Sequence, residues 1–338
     1  MFKFRMWPVL ATGLLVLCAG SYAIADDDDD DDDDDDRISR WWGQYYGHDD
    51  DDDHDDDDDH DNDDVVDCDD GDSIQEELED LDDDELLIEF TGTCVENIDI
   101  STSGVTLRGT DPIRSFNVIQ GNITITGAIG VELSNFTVDG TGLGPLIVLV
   151  ADGSFAKLNN MALTETGLDV ENISGAHLVG GSVVAPTTDG AIDVRRHSFV
   201  RTDGTNISGA LGGPSVVAVA EGSSFYGVLG SITKPTPGGN AMFLKSNALA
   251  NLDRVTVSGR VFVTHHSTLV IDPGSTFTVT AAPGHAIVAR DDSTIIGGDN
   301  GTAGGVTVTG NVVCLDAETS LDDRSFFAIS GFTNCTGF

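Results

Sequence analysis

From Phe155 onward a single apolar position, preceded by Ser, Thr or Ala, returns every 20 to 26 residues in a chain otherwise written in Val, Ile, Thr and Gly. The series runs Phe155, Leu178 (preceded by His177), Phe199, Phe225, Leu249, Leu269, Ile295 and Leu321. Units of that length are too short for a helix pair, so each is read as one turn of a β-solenoid. Extending the series backward reaches Leu133, Leu107 and Ile88. That gives about ten or more coils and, at the spacing of hydrogen-bonded strands, a stack about 50 Å long. Further β runs recur within the coils at Val255 to Gly259, Phe277 to Val279, Val306 to Gly310 and Phe326 to Ile329, so each coil has material for two or three strands. A sandwich or jelly roll would need antiparallel hairpins, and Asn-Gly or Asp-Gly turns between alternating strands are few.

Upstream the period changes. Ser73 followed by Glu76 reads as a capping box, and Ile74, Leu78 and Leu81 then fall at i, i+4 and i+7, which predicts one short amphipathic helix ending at Asp82 to Asp84. Three β runs follow: Leu86 to Cys94, Ile98 to Ile100 and Val105 to Gly109. An open solenoid end exposes strand edges and core, and a helix placed there covers both. The order Cys68, helix, strand, Thr91-Gly92-Thr93-Cys94-Val95-Glu96-Asn97-Ile98 and Gly104-Val105-Thr106-Leu107-Arg108-Gly109 resembles the start of exported bacterial β-helix proteins of the pectate-lyase-like superfamily. That resemblance implies an all-β, right-handed parallel β-helix over residues 68–338 with a short N-terminal capping helix. It says little about activity, because the superfamily holds lyases, hydrolases, epimerases, tailspikes and many non-catalytic surface proteins.

The first residues set the compartment. Lys3 and Arg5 precede an apolar run from Val9 to Ala19, and Ala23-Ile24-Ala25 offers small residues at a signal-peptidase site. Residues 1–25 are therefore read as a removed secretory signal, the run being shorter than the roughly 20 residues a membrane anchor needs. The expected location is secreted, periplasmic or at the cell surface. Four cysteines remain, none in a CxxC pair, and an even count in an exported chain favours disulfides. Cys68 with Cys94 and Cys314 with Cys335 would staple the two ends locally; cross-pairing would have to bridge the whole stack.

The net charge of -43 is concentrated in residues 26–67. Asp26 to Asp36 is unbroken aspartate; an island from Arg37 to Tyr46 carries Trp41-Trp42 and Tyr45-Tyr46; then His48, His54 and His60 punctuate a second aspartate run at six-residue spacing. Such a segment buries too little apolar surface to offset its ordering entropy and is expected to be disordered. Its charge excludes nucleic acid as a partner. Dense carboxylates suit weak, multivalent binding of Ca²⁺ or another divalent cation, and His48, His54 and His60 with Asp49, Asp53, Asp55 and Asp59 add transition-metal ligands. No cofactor beyond such a cation is implied.

Aligning coils on the apolar anchors places Arg195, Glu221, Lys245, His265 and Asp291 in one column, read first as a ladder of alternating charge. Beside it, His266, Asp292 and Glu318 would stack into an acid and imidazole patch able to serve as acid and base or to hold a cation. Arg195, Arg196 and His197 form a local basic cluster that would accept an anionic sugar or the aspartate tail, or belong to the charge ladder. Polygalacturonases carry Gly-His-Gly and Arg-x-Lys motifs; here Gly284-His285-Ala286 and Arg290-Asp291-Asp292 echo fragments in a different order, and the pectate-lyase pattern is missing. The expected function is thus an exported, non-catalytic β-helix that binds polysaccharide or another cell-surface component. The alternatives are a divergent polysaccharide lyase or hydrolase using His266, Asp292 and Glu318, and a cation-sequestering spacer working through its tail.

Overall fold

The computed structural model describes residues 65–333 apart from 82–85, 112, 144–145, 186–189, 211–212, 214, 237–238, 279–283, 298–305, 316–318 and 323–326, and no side chain beyond Ser320. The signal, the acidic segment with His48, His54 and His60, Glu318 and Cys335 lie outside the described residues.

Every strand pairing among the described residues is parallel, and the chain winds as a parallel β-helix with three strands per coil. One coil comprises Phe155–Asn159, Ala162–Thr164 and Thr166–Val170; the next comprises Gly175–Val179, Ser182–Val184 and Ile192–Val194. Phe155 pairs with Gly175, Ala162 with Ser182, and Leu168 with Ile192. Strand alternation sends every second side chain inward, and stacking puts like on like. In the second strands the buried column runs Val138, Leu163, Val183, Ile207, Ile232, Val257, Phe277, Val308. At about 1.5–3 kcal/mol for each fully buried branched or aromatic side chain, such columns are the main stabilising term.

Two kinds of turn make the coils closable. Between first and second strands a single residue adopts the left-handed conformation in most coils: Asn135 (φ 61°), Asn160 (φ 51°), Gly204 (φ 67°), Leu229 (φ 51°) and Arg254 (φ 50°), with Gly180 and Gly181 both doing so in one coil. Between third and first strands two consecutive residues do so, as in Asn172-Ile173, Arg196-His197, Ser246-Asn247, His265-His266 and Asp291-Asp292. A buried serine follows most of these pairs: Ser154, Ser174, Ser198, Ser223, Ser267 and Ser293. The hydroxyls of Ser154, Ser174, Ser198, Ser223 and Ser267 serve the preceding coil. Ser154 N–H donates to Ser174 Oγ at 3.2 Å, Ser174 N–H to Ser198 Oγ at 3.2 Å, and Ser198 N–H to Ser223 Oγ at 3.1 Å. Three of these hydroxyls also donate back to the carbonyl of the residue three before, Ser154 Oγ to Ala151 at 2.6 Å, Ser267 Oγ to Thr264 at 2.7 Å and Ser293 Oγ to Arg290 at 2.6 Å. A buried N–H left over by the two-residue turn thereby finds its acceptor.

This ladder position lies directly before Phe155, Phe199 and Leu249 but two residues before Phe225, Leu269 and Ile295, and it corrects the anchor alignment. Phe225, Leu269 and Ile295 share one inward column with Ala156, Val200 and Ala250, whereas Phe155, Phe199 and Leu249 share the adjacent outward column. Leu178 belongs to a third column, paired with Leu158. A one-residue slip along a strand exchanges inside for outside, and a pattern of single apolar anchors does not detect it.

At the N-terminal end, helix α1 (Ile74–Asp80) covers the first coil with Ile74 fully buried and Leu78 and Leu81 packed against the core. Ser73 caps it, accepting from Glu76 N–H at 3.2 Å. The carboxylate that completes the cap comes from Glu96 rather than Glu76: it accepts from Ser73 Oγ at 2.7 Å, Ile74 N–H at 2.9 Å and Gln75 N–H at 3.2 Å. A negative charge there also faces the positive end of the helix dipole. Strand Val66–Asp67 already pairs with Phe90 and Thr91, so the sheet starts before Cys68. Cys68 and Cys94 form a disulfide with Cα atoms 4.9 Å apart. Cys314, fully buried near the other end, is also disulfide-bonded.

Candidate functional site

The outward face of the third strands gathers the most chemically varied side chains. Its central column runs Leu149, Asp169, Asp193, Ala218, Phe243 and Phe262, and the column two residues on runs Glu171, Arg195, Ala220, Lys245, Thr264 and Arg290, with Ala220 and Thr264 themselves buried. The columns arise from local alternation: Leu168-Asp169-Val170 and Ile192-Asp193-Val194 each send two apolar side chains inward and one carboxylate out.

The N-terminal part of this face is a carboxylate cluster around one guanidinium. Arg195 Nη2 lies 3.2 Å from Asp169 Oδ2 and 3.4 Å from Asp193 Oδ2, and its Nε lies 3.7 Å from Glu171 Oε2. Arg196 pairs with Glu171 at 3.0 Å and donates to Asn172 Oδ1 at 3.2 Å. The positive charge expected from Arg195 and Arg196 is therefore matched by local carboxylates. Burial, reinforced by the charge of Asp193 and opposed by Arg195, pushes the Asp169 carboxyl up to about 6. Burial also raises Asp193, against the pull of Arg195 and Lys245. Two neighbouring carboxyls with raised proton affinity give the face both a proton donor and hydrogen-bond acceptors near neutral pH.

The C-terminal part is aromatic and cationic. Phe243 and Phe262 stand in adjacent coils with ring centroids 5.7 Å apart and a 41° tilt. The guanidinium carbons of Arg260 and Arg290 sit 5.8 Å and 5.1 Å from the Phe262 centroid. Arg260 is held by Asn240 Oδ1 at 2.7 Å; Arg290 Nε lies 3.2 Å from Thr264 Oγ1 and 3.3 Å from Asp291 Oδ2.

The two-residue turns form a ridge along one edge of this face. Backbone hydrogen bonds join His197 N–H to Glu221 O, Gly222 N–H to Ser246 O, Asn247 N–H to His265 O and His266 N–H to Asp291 O. Arg196, Glu221, Ser246, His265 and Asp291 thus occupy equivalent positions. The expected column is corrected by one residue: Arg195 and Lys245 each stand one residue before the turn, not in it. The ridge does bring the paired residues of the expected patch together. His265 Nδ1 lies 3.7 Å from Asp291 Oδ2 and His266 Nε2 lies 3.7 Å from Asp292 Oδ2, all well exposed. Thr264 Oγ1 donates to Asp291 Oδ2 at 2.6 Å.

Among the described residues the tightest grouping of metal-ligand types is Cys68, Cys94 and Glu96. The two sulfurs are bonded to each other and the carboxylate caps α1, so this grouping is already explained by the fold. No helix among the described residues is long and apolar enough to cross a membrane. Asp169, Asp193, Phe243 and Phe262 were not singled out by the sequence pattern. An acid flanked by two β-branched or apolar residues was the available signal for the aspartates, whereas Met242-Phe243-Leu244 carries no polar break to mark its outward member. The chain matches no protein-family model, no curated protein and no solved structure.

Proposed function

We propose that this protein is an exported, non-catalytic β-helix of the pectate-lyase-like type that binds an extracellular or cell-surface polysaccharide through the outward face of its third strands. The observation that supports this reading is the single column in which the carboxylates around Arg195 are followed, past Ala218, by the Phe243 and Phe262 pair flanked by Arg260 and Arg290. Sugar rings present axial C–H faces to aromatic side chains and hydroxyls to carboxylates and guanidinium groups, and a flat row several coils long suits a chain rather than a small molecule. Affinity electrophoresis against a panel of neutral and acidic polysaccharides tests it. Phe262→Ala is expected to weaken retention about five- to tenfold, in keeping with about 1–1.5 kcal/mol for one stacked ring. Retention unchanged by Phe262→Ala and by Arg260→Ala together would remove the support for this face.

A second reading, a hydrolase, is favoured by one observation: the raised Asp169 carboxyl beside Asp193. A protonated and an ionised carboxyl on one sugar-facing surface are the pair that glycoside hydrolysis uses. Release of new reducing ends from a polysaccharide, abolished by Asp169→Asn, would replace the binding reading with this one.

A further inference from the structure

The outward face of the second strands differs in kind from the other two. In four successive coils its triplets read Ser231-Ile232-Thr233, Thr256-Val257-Ser258, Thr276-Phe277-Thr278 and Thr307-Val308-Thr309, the middle residue buried and the outer two facing away from the core. The register is unbroken: Ser231 pairs with Thr256, Thr256 with Thr276 and Thr276 with Thr307, and the third members pair likewise. No register shift interrupts these four coils along the second strands, whereas the third strands of the same coils carry bulges. The hydroxyls and methyls therefore form two straight rows, with repeats of about 4.8 Å along the stack and about 6.6 Å across it.

Strand propensity alone would place Thr on all three faces. The first-strand face does carry Thr268, Thr294 and Ser320 in these coils, but beside Tyr226, Asn251 and Val270 and in line with Lys157, His177 and Arg201 earlier in the stack. The third carries Asp, Arg and Phe. From Ala162 and Thr164 to Thr307 and Thr309 the second-strand rows contain no ionisable side chain, in a chain of net charge -43. Among the described residues, Ser231 is the one of these eight side chains that bonds to the protein, donating to Asn206 Oδ1 at 2.8 Å. The remaining hydroxyls face solvent.

We propose that this face binds ice. An uncharged array excludes a charged partner by lack of complementarity, and its fixed two-dimensional repeat calls for a partner with a lattice of its own. The repeat along the stack lies close to an oxygen repeat of the hexagonal ice lattice, and each threonine offers a hydroxyl to join that lattice beside a methyl that orders the water around it. Threonine is stiff at χ1, so little entropy is lost when water is fixed on rows that are already in place.

The test is partitioning of the purified chain into a slowly grown ice front, with thermal hysteresis read on the same samples. Enrichment in the ice and a hysteresis gap are expected. Thr256→Lys and Thr278→Lys, each pointing a long charge from the middle of the rows, should abolish both, while Thr268→Lys on the first-strand face should leave both unchanged. Matching far-UV spectra and melting temperatures establish that each variant is folded, and either row variant alone suffices if the other fails to fold. Exclusion of the unaltered chain from ice overturns the proposal, as does enrichment that survives both row substitutions. Retention on crystalline cellulose or chitin with exclusion from ice assigns the face to a neutral polysaccharide instead.

Discussion

Replacing Asp169 by Asn tests the electrostatics of the third-strand face directly. The carboxyl titrates at about 6 in the fold against an ordinary value of 3.8, so the folded protein binds this proton more tightly than the unfolded chain. Between those two values the native state holds a proton that the unfolded state has released. Stability therefore falls as pH rises through the window, and the ionised carboxylate costs the fold about 3 kcal/mol above it, from 1.36 kcal/mol per pH unit. The side chain is 25% exposed, so solvent trims this figure only partly. Asparagine keeps the shape and removes the charge, and Arg195 retains Asp193 and Glu171 within 3.4 Å and 3.7 Å. At about 2 °C per kcal/mol for a domain of this size, Asp169→Asn should melt about 4–6 °C above the unaltered protein at pH 8. The gap should close below pH 3.8, where Asp169 is protonated in both states. The many other acids, common to both proteins, cancel in this difference. Thermal melts of the pair from pH 3.5 to 8 measure it. A gap independent of pH, or an asparagine variant less stable at pH 8, would show that Arg195 outweighs burial and that the carboxylate is held ionised.

Ser198→Ala should destabilise by about 1–3 kcal/mol in denaturant titration, because Ser174 N–H loses its buried acceptor; no loss would mean the serine ladder is dispensable. Its mildest precedent is Ala248, where the preceding Ser223 N–H turns to Ala220 O at 3.2 Å. Reducing the Cys68–Cys94 bridge, which closes 26 residues, should cost roughly 3.5 kcal/mol and loosen α1 first, measurable by hydrogen exchange at Ile74 to Asp80. Peptide mapping without reductant should also link Cys314 to Cys335; a free thiol at either would contradict the pairing. Deleting Asp26 to Asp64 should abolish most divalent-cation binding by calorimetry and leave the melting temperature unchanged, and equal Ca²⁺ binding by both forms would move the site to the ridge of Asp291 and Asp292.

Much of the architecture was legible in the chain because a solenoid repeats its physics in every coil. Val, Ile, Thr and Gly at a period too short for a helix pair leave few ways to bury the apolar half of each strand except on the coil before and the coil after. The Ser73 cap with Ile74, Leu78 and Leu81 marked α1, and the even cysteine count pointed to Cys68 with Cys94, since both signals act over short stretches. What tertiary structure alone decided is register. Coil lengths differ at the junction of second and third strands, where Glu165 alone joins Ala162–Thr164 to Thr166–Val170 but a whole loop separates Ser182–Val184 from Ile192–Val194. Counting from one anchor to the next therefore accumulates slips, and in a strand each slip turns a side chain from core to solvent. Hence Phe199 and Phe225 looked equivalent and are not, Arg196 rather than Arg195 meets Glu221, and neither the Asp169 and Asp193 pair nor the hydroxyl rows could be seen. Glu96 reaches α1 across 22 residues for the same reason: strand pairing, not sequence spacing, sets which side chains meet.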